Sequence, residues 1–451
     1  MESSNYVSTT NACKLCTPLG ASLAFKGIAD CVPMLHGSQG CATYMRRYII
    51  SHFREPMDIA SSALGEKQAV FGGGPNLKKG ILNVMKKYGP AVIGVATTCL
   101  TETIGDDVPS ILDEFRKEFS DLPLPALVHA ATPSYSGTHA DGWREAVRAT
   151  VDALVQERAP ESGMVNVFPS LLSCEDTRHL KDIFRIFDLP AAILPDLSES
   201  LDGPALEDYE PIPSGGTPLS VIRGMSGASA SLELGRTMAG MPTAGRVLEE
   251  RFGVRRVSLG LPIGLRETDA LCQALEEVSG RATPRELALE RGRLVDALVD
   301  GHKYIFGKRA VVYGEEDLVV GLVSFLSEIG VRPVLAATGG RGKGFAAAIA
   351  EATRDILPEP CQAVEGVDFH DIAERAETLA PDLLVGHSKG YSYAKQWNVP
   401  LVRVGFPIHD RFGGQRLLHL GYRGAQGMLD RIINAVLEKT QNENPIGYGY
   451  L

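Results

Sequence analysis

The apolar residues of this chain come in two alternating rhythms, and that alternation limits its fold more than any other feature. Short unbroken apolar runs read as strands buried on both faces: Ala91 to Ala96, Met164 to Phe168, Ala310 to Tyr313, Pro333 to Ala336, Leu383 to Val385 and Leu401 to Val404. Between them lie longer segments of helical period, such as Leu318 to Ile329 and Met428 to Glu438. Strands separated by helices return to their sheet by crossing over it, which predicts parallel sheets covered by helices. The expected class is α/β, built from Rossmann-like units.

At 451 residues the chain exceeds what one core organises, and about three units are expected. Loop-rich composition at Gln156 to Gly163 and Asp202 to Gly227, with a further break near Gly280 to Pro284, suggests the divisions. The reading is three Rossmann-like domains over 1–155, 156–285 and 286–451. The last ends in a tail, NENPIGYGYL, of turn composition.

Charge and composition exclude several classes. A net charge of −10 leaves no basic excess to neutralise phosphates, so no nucleic-acid partner is expected. No apolar run approaches the roughly 20 residues that span a bilayer, and the first residues lack a basic head with an apolar stretch behind it. The expected setting is cytoplasmic, without membrane contact, where eight cysteines serve as thiols or metal ligands and not as disulfides.

Three cysteines stand in turn-forming contexts. Cys16 lies in KLCTPLGA, Cys41 ends HGSQGC, and Cys99 ends ATTC directly after an apolar run. Gly, Ser, Thr and Pro at strand-to-helix turns let backbone approach a cofactor, and amides there can donate to cluster sulfides. The spacing matches no ferredoxin run and no paired zinc pattern, and Cys13 with Cys16 forms only a single CxxC. The ordinary alternative, a cysteine buried as a small apolar residue, is the reading for Cys174, Cys272, Cys361 and Cys31.

The segments CTPLGA, HGSQGC, HFREP, AVFGGGPNLKKG, TTCLTETIGDD and TPSYSGTH occur in that order, followed by ERGRLVDAL, GKRAVVYG and VGFPIHDRFGGQRLLHLGYRG. Over nearly its whole length the chain thereby resembles the β-type subunit of nitrogenase component 1. The resemblance implies that Cys16, Cys41 and Cys99 are this chain's share of an 8Fe-7S P-cluster, the homologous α-type subunit giving the rest. The residues agree in one respect: three thiols fall short of a closed four-thiolate site. Ser134, in TPSYSG, matches a serine that approaches the oxidised cluster. Phe71, in AVFGGG, matches an aromatic where a homodimeric, ATP-dependent iron–sulfur reductase docks; an exposed aromatic beside flexible backbone suits a transient interface.

The implied assembly is an α2β2 heterotetramer, with a complex iron–sulfur cofactor held by the partner subunit and not by this chain. The chain would be an electron relay within an oxidoreductase, carrying no catalytic residue of its own. Only 15 residues precede Cys16, fewer than in typical nitrogenase β subunits. The substrate expectation is therefore a small molecule other than dinitrogen, as in methylthio-alkane reductase. The alternatives are the N-type subunit of the scaffold that matures the iron–molybdenum cofactor, and third a dinitrogen-reducing β subunit.

Other motifs are read as structural. Glu102, Asp106 and Asp107 are expected to cap a helix start after Cys99. Gly339 to Gly344, GGRGKG, departs from GxxxxGK[ST] and is not expected to hold nucleotide. His409 and His419, among Asp410, Arg411 and Arg416, suggest an interdomain or intersubunit polar network. No serine-hydrolase signature such as GxSxG is read in the chain, and no such nucleophile is expected.

Overall fold

The protein is described by a computed structural model covering residues 13–446, Ser136 and Lys343 excepted. Its first sheet comprises Cys31–His36 (β1), Ala60–Ser61 (β2), Val92–Thr97 (β3) and Ala126–Ala130 (β4), in the order β2-β1-β3-β4. The second comprises Val165–Pro169 (β5), Ala191–Ile193 (β6), Ala230–Leu234 (β7) and Arg256–Leu259 (β8), in the order β6-β5-β7-β8. Arg309–Gly314 (β9), Arg332–Thr338 (β10), Gln362–Val364 (β11), Leu383–Gly386 (β12) and Leu401–Arg403 (β13) form the third, in the order β11-β10-β9-β12-β13. Every ladder is parallel. The class is α/β, as the apolar rhythm predicts.

Each of the six apolar runs lies on a strand: β3, β5, β9, β10, β12 and β13. Two of the strands that pattern alone does not reveal carry polar or ring-restricted residues inside a buried sheet. β1 contains Pro33 and His36, both buried, and β7 contains Ser231 and Glu233, each at 0% exposure. Glu233 is tolerated because Arg256 on the adjacent strand pairs with it at 3.1 Å and the Gly245 amide donates to it at 3.0 Å.

Seven helices surround the first sheet: Thr17–Lys26 (α1), Gln39–Phe53 (α2), Glu66–Phe71 (α3), Gly74–Tyr88 (α4), Cys99–Ile104 (α5), Val108–Glu118 (α6) and His139–Leu154 (α7). Every residue of α1 is buried, and Pro18 sits in its first turn, where no amide partner is missed. It crosses α7 at backbone contact. A Cβ on Gly20 would lie 1.7 Å from the His139 carbonyl oxygen, and one on Gly142 would lie 1.8 Å from that of Thr17. Only glycine permits this approach.

Apolar cores run across the sheets. One joins Leu19, Phe25 and Val92 to Phe168 and Leu194; another joins Val167 and Leu232 to Val312, Val320 and Phe325. Buried polar pairs reinforce these junctions. His419 Nδ1 meets the Asp176 carboxylate at 2.7 Å, and two amides, of His419 and Leu420, donate to the same group. Although burial acts to raise it, these partners hold the Asp176 carboxyl below its ordinary range. His409 Nδ1 meets Ser51 on α2 at 2.6 Å. Among the described residues no helix is long and apolar enough to cross a membrane.

Candidate metal centre at the carboxyl edge of the first sheet

The strand order of the first sheet reverses at β1. Its chain leaves for β2 on one side, while β3 lies on the other and leads to β4. Turns that diverge in this way open a crevice beyond the carboxyl ends of the two central strands. Cys41, the third residue of α2, follows β1, and Cys99, the first residue of α5, follows β3. Cys16 immediately precedes α1, and Ser134 lies in the turn after β4. The turns themselves are in contact. A Cβ on Gly37 would come within 2.1 Å of Thr98 Oγ1, and the Thr98 amide donates to the His36 carbonyl at 3.1 Å.

Ser134 joins these elements. Its hydroxyl accepts from the Thr17 amide, the first of α1, at 3.0 Å, and its own amide donates to Cys99 Sγ at 3.2 Å. The thiol of Cys16 is raised above its ordinary pKa by burial; a hydrogen bond with Ser134 opposes this, and neighbouring Cys99 and Cys41 add to it. The three sulfurs therefore share one electrostatic neighbourhood. Cys41 accepts from the Ser38 hydroxyl at 3.6 Å. Cys16 is exposed, and Cys41 and Cys99 are half-buried, so the group opens outward.

This donor set fits part of a polynuclear cluster better than a single ion. Among the described residues no three His, Cys, Asp or Glu side chains converge as mononuclear ligands. All three thiols sit at helix amino termini, where the backbone dipole favours sulfur anions. The hydroxyls of Thr17 and Thr98, each adjacent in sequence to one of these cysteines, are buried without a hydrogen-bond partner among the described residues. Orphaned groups at such a place suit a site that an added group completes.

Phe71, the last residue of α3, is 79% exposed, and Val70 beside it 75%. Gly72, at φ +87°, turns the chain sharply after them.

Four sequence readings need revision. Asp107 caps a helix, accepting from the Ser110 amide at 3.1 Å, but the helix is α6 and does not begin at Cys99. Asp106 is no cap: its carboxylate accepts from the Gly73 amide at 3.0 Å and meets His36 Nε2 at 3.0 Å. Glu102 instead accepts from the Thr97 hydroxyl. Gly386 to Gly390, GHSKG, does spell the GxSxG turn of a serine nucleophile. Yet Ser388 Oγ donates to Asp410 at 2.6 Å and accepts from the His409 amide at 2.9 Å, and among the described residues no imidazole bonds to it. His36 and Ser62 were missed, since a histidine closing a strand carries no local signal.

A cavity of about 830 Å³ opens where the three sheets meet, lined by Asp141, Arg144, Arg236, Glu316 and Arg341 among others. Glu316 lies under the glycine loop, where a Cβ on Gly340 would be 2.0 Å from its Oε1. A carboxylate in that position repels phosphate. Among the described residues neither of its oxygens has a hydrogen-bond partner, the Arg144 guanidinium standing 3.5 Å away. Burial lifts its pKa to about 7. A raised carboxyl contributes stability that is complete below the unfolded value and is lost as pH rises through the folded one. Glu316→Gln should therefore raise the unfolding midpoint at pH 8, by roughly 2–3 kcal/mol in stability, and the gap should close toward pH 5. A gap independent of pH would contradict this account.

Residues 16–437 match the family described as nitrogenase component 1 type oxidoreductase. The chain is 35% identical over 434 residues to the nitrogenase molybdenum-iron protein β chain of Clostridium pasteurianum, covering 96% of this chain and 94% of that one. It is 33% identical over 432 residues to the nitrogenase vanadium-iron protein β chain of Trichormus variabilis, covering 93% and 92%. A solved structure, nitrogenase Cp1 at pH 6.5, superposes with a TM-score of 0.96 at 33% identity, over 100% of this chain and 98% of the other.

Proposed function

Because this chain belongs to the nitrogenase component 1 type oxidoreductases as a β-type member, we propose that it relays electrons from an ATP-dependent iron–sulfur reductase toward a cofactor in an α-type partner. The observation that carries this reading is that Cys16, Cys41 and Cys99 stand at three helix starts around one outward-opening crevice, with Ser134 bonded both to the Cys99 sulfur and to the first amide of α1. Cys16, Cys41 and Cys99 would hold this chain's half of a P-cluster, with the partner's thiols closing the other side. When bound, such a cluster supplies one-electron redox chemistry. The Ser134 amide orients Cys99, and its hydroxyl, already between α1 and Cys16, is placed to approach the metal. Tyr44 and Tyr135, 55% and 61% exposed near the cysteines, provide aromatic surface for the partner to cover.

Val70 and Phe71 form the docking knob for the reductase. Phe71→Ala should weaken reductase binding by about 2 kcal/mol, near thirtyfold, with iron content intact. Equal loss of iron and binding would make Phe71 a packing residue.

For the substrate we propose a small molecule such as a methyl thioether. A chain named as a nitrogenase molybdenum-iron protein β chain matches this one over 94% of its own length, so dinitrogen stands beside it in the test. The anaerobically purified complex, supplied with its reductase and ATP, is assayed with dinitrogen, acetylene and methyl thioethers. Turnover supports the relay, and the preferred substrate names the branch. Absence of turnover, with transfer of a cluster to apo-nitrogenase instead, would replace the relay with the scaffold reading.

A further inference from the structure

We propose that Asp106 is a positioning residue that couples the Val70–Phe71 knob to the turns bearing Cys41 and Cys99, so that docking acts on the metal centre through a buried hydrogen-bond chain. The proposal rests on the docking reading above and adds the path by which docking is felt.

The chain begins at the turn into α2. The Gly37 amide donates to Ser62 Oγ at 3.0 Å, and Ser62 Oγ meets His36 Nδ1 at 2.9 Å. His36 Nε2 meets Asp106 Oδ2 at 3.0 Å, and the Gly73 amide donates to both Asp106 oxygens at 3.1 and 3.0 Å. The partners fix the direction of each bond. Nε2 faces a carboxylate and carries the proton, so Nδ1 accepts from the Ser62 hydroxyl. Burial lowers the pKa of His36 in spite of Asp106, which agrees with a neutral ring. Every donor and acceptor in the sequence then has a partner.

Its location gives the chain its significance. His36 closes β1, five positions before Cys41, and Asp106 follows α5, which begins at Cys99. At the far end Gly73 stands two residues after Phe71. No side chain cushions that end. A Cβ on Gly73 would lie 2.5 Å from Asp106 Oδ2 and 2.8 Å from His36 Cε1, and one on Gly72 would lie 3.3 Å from Asp106 Oδ1. Any displacement of the knob therefore bears directly on the carboxylate. His36 has 0% and Asp106 8% of its side chain exposed, so water cannot readily replace a stretched bond, and the chain moves as a unit or breaks. Close-packed elements of this kind shift between discrete arrangements instead of deforming smoothly.

Asp106→Asn keeps the shape of the side chain but presents an amide where two donors now converge. In the complex with its reductase, we expect iron content and the resting spectral signature to be retained and the KM for reductase to stay within about twofold. Electron flux at saturating reductase should fall about tenfold, and ATP hydrolysed per electron should rise several-fold. A structural lesion alone would not move that ratio. Unchanged flux and ratio would overturn the proposal. If Asp106→Asn loses iron, Ser62→Ala, which deletes only a hydroxyl at the other end, decides. Uncoupling with iron retained supports the chain, and unchanged coupling overturns it. Phe71→Ala run in parallel separates the two readings. A raised KM there with no Asp106 effect removes the coupling alone, whereas an unchanged KM removes the docking reading and this proposal with it.

Discussion

Cys99→Ala is expected to abolish the metal centre: the complex should lose the cluster's iron and its spectral signature, and electron delivery should fall by at least about a hundredfold. The reason is geometric as well as chemical. Cys99 opens α5 directly above the central strand β3, and its sulfur is the one that receives the Ser134 amide. Its loss removes a thiolate and leaves that amide without the sulfur it donates to. Cys13 and Cys31 are each 2% exposed, and that burial pushes each thiol up to about 12. Iron analysis and electron paramagnetic resonance of the purified complex make the check. Full iron content in the variant would exclude Cys99 as a ligand.

Gly142→Ala should be nearly as damaging, although it touches no sulfur. The added Cβ would stand 1.8 Å from the carbonyl oxygen of Thr17, in the backbone that follows Cys16. Neither partner is a flexible side chain, so α1 must move away from α7. The expected destabilisation is about 3 kcal/mol. Because Ser134 Oγ binds the first amide of α1, the same movement pulls Cys16 from Cys99. Thermal unfolding should show the loss, with reduced iron in whatever folds. Gly427→Ala is the control: it is exposed, helical and open, with nothing within 4 Å of the new carbon, and should be neutral or slightly stabilising. Equal behaviour of the two variants would show that the α1–α7 contact does not set the position of Cys16.

Legibility in the sequence follows from how local each signal is. Strands buried on both faces announce themselves as apolar runs, so β3, β5, β9, β10, β12 and β13 were readable. β1 and β7 were not, because Pro33 interrupts the pattern in β1 and the buried His36 and Glu233 are paired by residues distant in sequence. Cys16, Cys41 and Cys99 stood out through the glycine, threonine and proline around them, since close backbone approach must be written beside the residue that needs it. The same locality misled at Asp106, where an acidic pair after a short helix reads as a cap, yet one member reaches back across the sheet to His36 and Gly73. GHSKG shows the converse: the pattern of a nucleophile turn is present, and only the placement of Asp410 and the His409 amide around Ser388 removes the chemistry.

What the sequence determined by itself was the α/β class and the identity of the cysteines in turns, because periodicity and turn composition act over a few residues. Which side chains meet was decided by the tertiary structure alone. The strand order β2-β1-β3-β4 places the Cys41 and Cys99 turns on either side of one crevice, and the glycine contact of α1 with α7 brings Cys16 and Ser134 to it. Strand order and helix crossing are settled by packing between segments a hundred residues apart, and no local pattern encodes that distance.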